Sequence, residues 1–191
     1  MRLRYRGADQ MRFVLIRHGQ TQGNLEHRYI GSKTDEPLCE AGRKALREKR
    51  YPAVKRVFAS PMKRCVETAR MLYPDLEPEI IEDFRECDFG AFENMAYAQL
   101  SGREDYQAWI DSGGEMPFPG GESRAAFAKR CVQAFEKLKA SVSEDAALIV
   151  HGGTIMAIME RHAVPKGSYY DFQVKNGEGY LLYPDGRYEK L

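Results

Sequence analysis

Phe13-Val14-Leu15-Ile16-Arg17-His18-Gly19-Gln20-Thr21 is the stretch on which the reading of this chain turns. Its apolar run is short and rich in β-branched and aromatic residues, which favours a buried strand over residues 12–16. Gly19 then breaks the run. A strand that stops on Arg17-His18-Gly19 brings together a cation, an imidazole and a bare backbone at a sheet edge. Arginine suits phosphate because its planar fork gives two parallel, charge-assisted hydrogen bonds. Histidine can attack phosphorus through a ring nitrogen, and glycine lets an anion approach the main chain.

Downstream, helical and extended patterns alternate. Residues 40–50 are rich in helix formers and follow a loop containing Gly31 and Pro37. Residues 54–59 read as a strand. Ser60-Pro61 then reads as an N-cap with proline at the first helical position, so a helix is expected over residues 62–72. A third strand is expected over residues 79–82. Pro119-Gly120-Gly121 marks a turn and Ser123 can cap a further helix, in which Phe127, Cys131, Ala134, Phe135 and Leu138 share one face. Ala146–Val150 reads as a fourth strand ending on His151-Gly152-Gly153, followed by a helix over residues 154–162. Residues 180–183 and 187–190 flank Pro184-Asp185-Gly186 as a closing hairpin.

Such alternation predicts a three-layer α/β/α sandwich around a mainly parallel sheet. One domain is expected over residues 11–191, with a small helical cap inserted at about residues 84–120. Residues 1–10 are expected to be a disordered or non-native extension. In open α/β folds, ligands gather at the carboxyl ends of the strands. Three strands end there on suggestive residues: Arg17-His18-Gly19, Ser60-Pro61-Met62-Lys63-Arg64, and His151-Gly152-Gly153.

Composition narrows the partners. The 191 residues carry 29 basic and 28 acidic side chains, a formal net charge of +1, which argues against a general nucleic-acid binder. No apolar run approaches a membrane span, and the N-terminus lacks the apolar stretch of a secretory signal. Cys39, Cys65, Cys87 and Cys131 are scattered, with no C-x-x-C pair, so neither a zinc site nor a disulfide framework is suggested and a reduced, cytoplasmic setting is expected. The sequence sets no oligomeric state.

The strand-end residues make sense as phosphate chemistry. Arg17 and Arg64 can neutralise a phosphate dianion and the charge that spreads during transfer. His151, if held protonated by bound phosphate, adds a third cationic donor. Asn24 offers a neutral donor and His18 a nucleophile. The leaving alcohol needs a proton, and Phe84-Arg85-Glu86-Cys87-Asp88-Phe89-Gly90 offers Glu86, with Asp88 as the nearest rival. His27 and His162 have no motif around them and are read as ordinary histidines. Phe89, Phe92, Tyr97, Tyr106 and Trp109 are read as the core of the cap rather than as a specificity surface.

Taken together, these motifs resemble the histidine phosphatase superfamily, with its phosphoglycerate mutase-like fold. Arg17-His18-Gly19-Gln20-Thr21-x-x-Asn24 is similar to the family's opening motif, and Thr34-Asp35-x-Pro37-Leu38-x-x-x-Gly42 to the segment after it. Ala59-Ser60-Pro61-x-x-Arg64-x-x-x-Thr68-Ala69 resembles the second motif and His151-Gly152-Gly153 the last. The resemblance implies His18 as phosphate acceptor and Glu86 as general acid. It also implies a phosphate pocket of Arg17, Asn24, Arg64 and His151, with backbone contacts near Gly31 and Gly152. No metal or cofactor is implied.

Within that family, mutases resemble this chain but carry Arg-His after the catalytic glutamate, where Cys87-Asp88 stand here. A carboxylate there repels a phosphoglycerate carboxylate. The expected activity is therefore a phosphoric monoester hydrolase acting on a small-molecule phosphate ester. Residues 84–93 and 119–123 look most like α-ribazole phosphatases of cobalamin synthesis and broad-specificity sugar-phosphate phosphatases. A mutase-type phosphotransferase is the second reading and a non-catalytic phosphate-binding protein the third. Two departures from the family pattern stand out: Asn94, where glycine commonly follows the glutamate, and Cys39, where a hydroxyl residue commonly follows Leu38.

Overall fold

The opening strand is present as β1, Phe13–Arg17, one residue later than the apolar pattern predicts. The computed structural model describes residues 11–191, and the extension expected over residues 1–10 lies outside them. A short helix α1, Gln22–Leu25, is capped by Thr21, and α2, Glu40–Arg47, follows. Next come β2, Arg56–Ala59, α3, Lys63–Leu72, and the two-residue β3, Glu79–Ile80. The short helices α4, Tyr97–Leu100, and α5, Glu104–Asp111, precede the long α6, Arg124–Ser141. The chain ends with β4, Ala146–Val150, α7, Gly152–His162, and the hairpin of β5, Gly179–Leu182, and β6, Tyr188–Lys190.

The six strands form one sheet in the order β3-β2-β4-β1-β5-β6. The first four run parallel, whereas β5 is antiparallel to β1 and β6 antiparallel to β5. The sheet is thus mainly parallel, as expected. The closing hairpin is laid beside β1, where Gly179 fits because a Cβ there would come within 1.7 Å of the Leu15 carbonyl oxygen.

Strand side chains alternate faces, and both faces of this sheet are covered. Phe13, Leu15, Phe58, Leu148 and Val150 pack on one side with Phe135 and Leu138 of α6 and Ile155, Ile158 and Met159 of α7. Val14, Ile16, Val57, Ala59, Ala147 and Ile149 pack on the other with Cys65 and Ala69 of α3. This double coverage explains why β1 and β4 read as unbroken apolar runs, and it gives the expected three layers.

Residues between β3 and α6 build a separate cluster. Phe92, Leu100, Tyr106 and Phe118 are buried there with Phe127 and Cys131 of α6, and Tyr29 and Trp109 pack against them. The aromatic residues of this segment are core, as the sequence reading favoured; Tyr97 is the exception, being 65% exposed. Asn94 has a left-handed backbone, φ 62°, which explains the glycine commonly found at that position; Asn tolerates this region better than most side chains. Cys39 caps α2, its Sγ accepting from the Gly42 N–H at 3.3 Å in the role of a hydroxyl oxygen.

One local expectation fails. Ser60-Pro61 does not start α3: the cap position belongs to Met62, without a side-chain cap hydrogen bond. The Ser60 hydroxyl is engaged instead with His151, 2.7 Å away.

Candidate active site

β1, β2 and β4 end at the same edge of the sheet, so the residues after them converge. The His18 N–H donates to the Val150 carbonyl at 3.0 Å, which binds the end of β1 to the end of β4. The Gly19 N–H donates to Thr68 Oγ1 at 2.9 Å, and that hydroxyl donates to the Arg64 carbonyl at 2.6 Å. Asn176 closes the third side, its Nδ2 donating to the His18 carbonyl and to Asn24 Oδ1, each at 3.1 Å.

This scaffold fixes the His18 ring. Nδ1 lies 2.7 Å from the Gly19 carbonyl oxygen, which can only accept, so Nδ1 carries the proton. Nε2 is left with its lone pair. Burial, followed by the nearby Arg64 and Arg17 cations, holds the His18 pKa well below its ordinary value and keeps the ring neutral.

Arg64 is fully buried in the first turn of α3, where a solvated side chain would be the ordinary outcome. Its Nη1 donates to the Thr34 carbonyl at 2.9 Å and its Nη2 reaches the Gly31 and Ile30 carbonyls at 3.3 and 3.4 Å. Arg17 donates through Nη1 to the Val174 carbonyl at 2.8 Å. The Nε groups of both arginines are buried without a protein partner among the described residues. Buried N–H groups are rarely left unpaired, and two of them on guanidiniums close enough to repel each other suit the oxygens of an anion. Gly152 opens α7 against Arg17: a Cβ on it would stand 3.5 Å from Arg17 Nε. The amino end of that helix adds its partial positive charge to the same place.

Glu86 supplies the proton-handling group. Its Oε1 accepts from the Cys87 N–H at 2.8 Å, and its Oε2 lies 3.4 Å from His151 Nδ1. Burial raises its pKa despite the opposing pull of Arg64, Arg17 and Arg130. Arg130 holds the segment, donating to the Asp83 and Arg85 carbonyls at 2.8 Å each and pairing with Glu122 at 2.8 Å. The rival Asp88 is occupied by the Gly90 N–H and by Lys33.

His151 is buried, its ring centroid 5.3 Å from that of His18. Burial, then Arg64, His18, Arg17 and Arg130, lower its pKa well below the ordinary value. In this state it is a neutral donor or acceptor; the cationic role expected of it requires a bound dianion.

The structure brings His18, Arg17, Arg64, Glu86, His151 and Gly152 together. Asn24 stands at the margin, with Oδ1 engaged by the Thr21 N–H and by Asn176, which leaves its Nδ2 hydrogens to offer. Gly31 corrects the reading. Its N–H, in the backbone that the resemblance implies contacts phosphate, donates instead to Glu93 Oε1 at 2.9 Å. Its place is structural, since a Cβ would come within 2.4 Å of both the Cys87 carbonyl and Glu93. Cys87 is buried, with its thiol pKa raised by burial and by Glu86, and does not line an entrance. His162 packs on Phe135, and His27 is exposed on the lining of the groove beside Asn24, so neither belongs to the buried cluster itself.

Two grooves flank the cluster. One, of about 770 Å³, is lined by Arg17, Asn24, Tyr29, Lys49, Lys175 and Asn176 among others. The other, of about 610 Å³, is reached from Glu86 and lined by Arg85, Asp88, Glu122 and Arg130 among others.

Residues 13–191 match the family model described as histidine phosphatase superfamily (branch 1). The chain belongs to the histidine phosphatase superfamily. It is 34% identical over 163 residues to a 2,3-bisphosphoglycerate-dependent phosphoglycerate mutase 2 of Gloeobacter violaceus, spanning 76% of this chain and 73% of the relative. It is 29% identical over 177 residues to an adenosylcobalamin/alpha-ribazole phosphatase of Salmonella typhimurium, spanning 87% of each. Among solved structures, the alpha-ribazole phosphatase of Shigella flexneri superposes with a TM-score of 0.79 at 26% identity, covering 90% of both chains. Superfamily members are phosphatases or mutases, so phosphoryl chemistry is the frame for this site.

Proposed function

We propose that this protein is a phosphomonoesterase working through a phosphohistidine on His18. The observation that carries the proposal is the pairing of His18, whose Nδ1 is held by the Gly19 carbonyl so that Nε2 is free, with a buried Glu86 whose pKa burial raises. In the first step Nε2 attacks phosphorus while the ester P–O bond breaks. Glu86 gives its proton to the departing alkoxide oxygen. Arg17, Arg64, Asn24 and the amino end of α7 hold the three remaining phosphoryl oxygens, and His151 joins them. In the second step water attacks phosphorus and passes a proton to the Glu86 carboxylate. The P–N bond breaks, its electron pair returns to Nε2, and inorganic phosphate leaves. The site's own residues supply the positive charge this chemistry needs, and no metal enters either step.

For substrate, we favour a small phosphate ester with an uncharged alcohol, α-ribazole 5′-phosphate or a sugar phosphate. The Salmonella typhimurium relative supports this, and with it a place in cobalamin synthesis. The Gloeobacter violaceus relative keeps the mutase reading alive. Cys87-Asp88 weigh against it, because one of these residues is buried and the other is a carboxylate. Phosphate release from a phosphomonoester panel that includes α-ribazole 5′-phosphate, with and without 2,3-bisphosphoglycerate and 3-phosphoglycerate, tests the assignment. Release from esters without bisphosphoglycerate is expected. Isomerisation of 3-phosphoglycerate without net release would make the mutase reading correct.

A further inference from the structure

The mechanism above uses His151 without saying what determines which of its nitrogens carries the proton. Both nitrogens are enclosed. Nε2 lies 2.7 Å from Ser60 Oγ, and Nδ1 lies 3.4 Å from Glu86 Oε2. His151 and Ser60 are each wholly buried, so protein groups must satisfy them.

We infer that Ser60 is a positioning residue that fixes His151 as the Nδ1–H tautomer and aims that proton at Glu86. Hydrogen-bond bookkeeping gives the direction. Ser60 Oγ accepts from the Met62 N–H at 3.4 Å and otherwise meets His151 and the Cys65 thiol. The hydroxyl proton needs an acceptor, and the bare Nε2 of His151 is the oxygen or nitrogen within reach among the described residues. Were Nε2 protonated instead, two donors would face each other, or the Ser60 proton would be left with the weakly accepting Cys65 sulfur in place of a ring nitrogen. Cys65 lies beside both ring nitrogens, its Sγ 3.7 Å from Nε2 and 3.9 Å from Nδ1, and burial pushes its thiol up to about 12, so it stays an S–H and does not decide between them. The Ser60 hydroxyl, at 2.7 Å, is the strong donor at Nε2.

The consequence falls on Glu86. A ring with its proton on Nδ1 presents a donor to the carboxylate that forms when Glu86 protonates the leaving group. The 3.4 Å separation is of the kind that catalytic contacts close when substrate binds. Ser60 would therefore lower the cost of ionising Glu86 in the first step and support its carboxylate as the base of the second. The groups facing this unit are Arg64 and Cys65 from α3, Arg17 and His18 from the end of β1, Arg130 and Cys131 from α6, Cys87 beside Glu86, and Tyr169 after α7; burial raises the pKa of all three thiols and of Tyr169, which keeps them protonated. The arginines and His18 act on the charge of His151 and Glu86 without hydrogen-bonding Nε2, and the Cys65 contact is long and shared by both nitrogens, so the tautomer is left to Ser60. The kinetic consequence rests on the phosphatase reading, whereas the tautomer does not.

Nitrogen-15 NMR of the histidine-labelled wild-type protein near pH 7.5 tests the tautomer directly, with the four histidines assigned by single replacement. Proton-bearing Nδ1 and bare Nε2 at His151 are expected. A proton on Nε2, in the neutral or the doubly protonated ring, overturns the inference. Kinetically, Ser60→Ala should shift the alkaline limb of single-turnover phosphorylation by an alkyl phosphate to higher pH and slow dephosphorylation. Ser60→Thr, which keeps the hydroxyl, should hold the limb at its wild-type position. An unmoved limb in a folded Ser60→Ala protein also counts against the inference. A wild-type protein with the expected tautomer and no phosphatase activity would remove the functional reading and leave the tautomer assignment standing.

Discussion

The Nδ1 atom of His18 lies 2.7 Å from the carbonyl oxygen of Gly19, the next residue in the chain. A contact so local is formed as soon as the chain turns after β1, and it holds the ring without help from substrate. The carbonyl is itself braced, because Asn176 approaches the His18 and Gly19 carbonyls from outside at 3.1 and 3.5 Å. One side of the imidazole is thereby spent on structure and the other kept for chemistry.

Glu86→Gln separates proton donation from phosphate binding. An alkoxide leaves only with a proton, whereas nitrophenolate leaves without one. General acid catalysis is typically worth about 10²–10⁴-fold. Single-turnover phosphorylation by an alkyl phosphate should fall by that order, and phosphorylation by p-nitrophenyl phosphate should change little. In the wild type, burial raises the Glu86 pKa, so the acid form persists above the ordinary carboxylate range. Phosphorylation by alkyl phosphates should therefore decline as pH rises through that raised value. Equal losses for the two substrates would move attention to Asp88.

Arg17→Ala tests anion binding apart from folding. Among the described residues the Arg17 side chain makes one hydrogen bond, to the Val174 carbonyl, while that of Arg64 supports three carbonyls. A ligand at 100 times its Kd stabilises the folded state by about 2.7 kcal/mol. For a domain of this size, that raises Tm by about 5 °C or more. Inorganic phosphate or vanadate should produce such a rise in the wild type, and Arg17→Ala should fold yet lose most of it. Arg64→Ala should be less stable even without ligand, since buried carbonyls left unpaired cost roughly 1–3 kcal/mol each. An undiminished phosphate shift in Arg17→Ala would contradict the pocket.

Four parallel strands and the residues at their ends were legible in the sequence because both signals are local. Apolar runs such as Phe13–Ile16 and Ala146–Val150 mark strands covered on both faces, and Arg17-His18-Gly19 and His151-Gly152-Gly153 follow them directly. What escaped depends on contacts distant in sequence. Ser60 has the local chemistry of a helix cap, but it meets His151 from 91 positions away. Thr68 stands in a quoted motif, yet its bond to Gly19 is visible only once α3 lies beside β1. Asn176 precedes Gly177 and reads as an ordinary turn residue. The family resemblance implies backbone contacts to phosphate near Gly31, but Glu93, 62 residues later, takes the Gly31 N–H.

Cysteine chemistry distinguishes the burial pattern from the sequence alone. Cys65, Cys87 and Cys131 are buried and Cys39 is half-buried. Burial pushes the thiols of Cys65 and Cys131 up to about 12. Brief alkylation of the native protein, read by peptide mass spectrometry, should label Cys39 first and leave Cys87 unmodified until unfolding. Cys39→Ser, which puts a stronger acceptor at the cap of α2, should match or exceed wild-type stability by up to ~1 kcal/mol. Rapid native labelling of Cys87, with loss of turnover that phosphate prevents, would contradict this burial and place Cys87 at the substrate entrance.

The covalent intermediate is the central claim, and rapid alkaline quench tests it most directly. A phosphohistidine P–N bond survives base and is lost in acid, unlike a phosphoserine ester. Protein mixed with a phosphorus-32-labelled phosphomonoester, quenched in alkali within the first turnover and digested, should carry label on the His18 peptide at Nε2. His18→Ala should carry none and be nearly inactive. Label absent from His18 in a protein that turns over, or normal turnover by His18→Ala, would contradict the account.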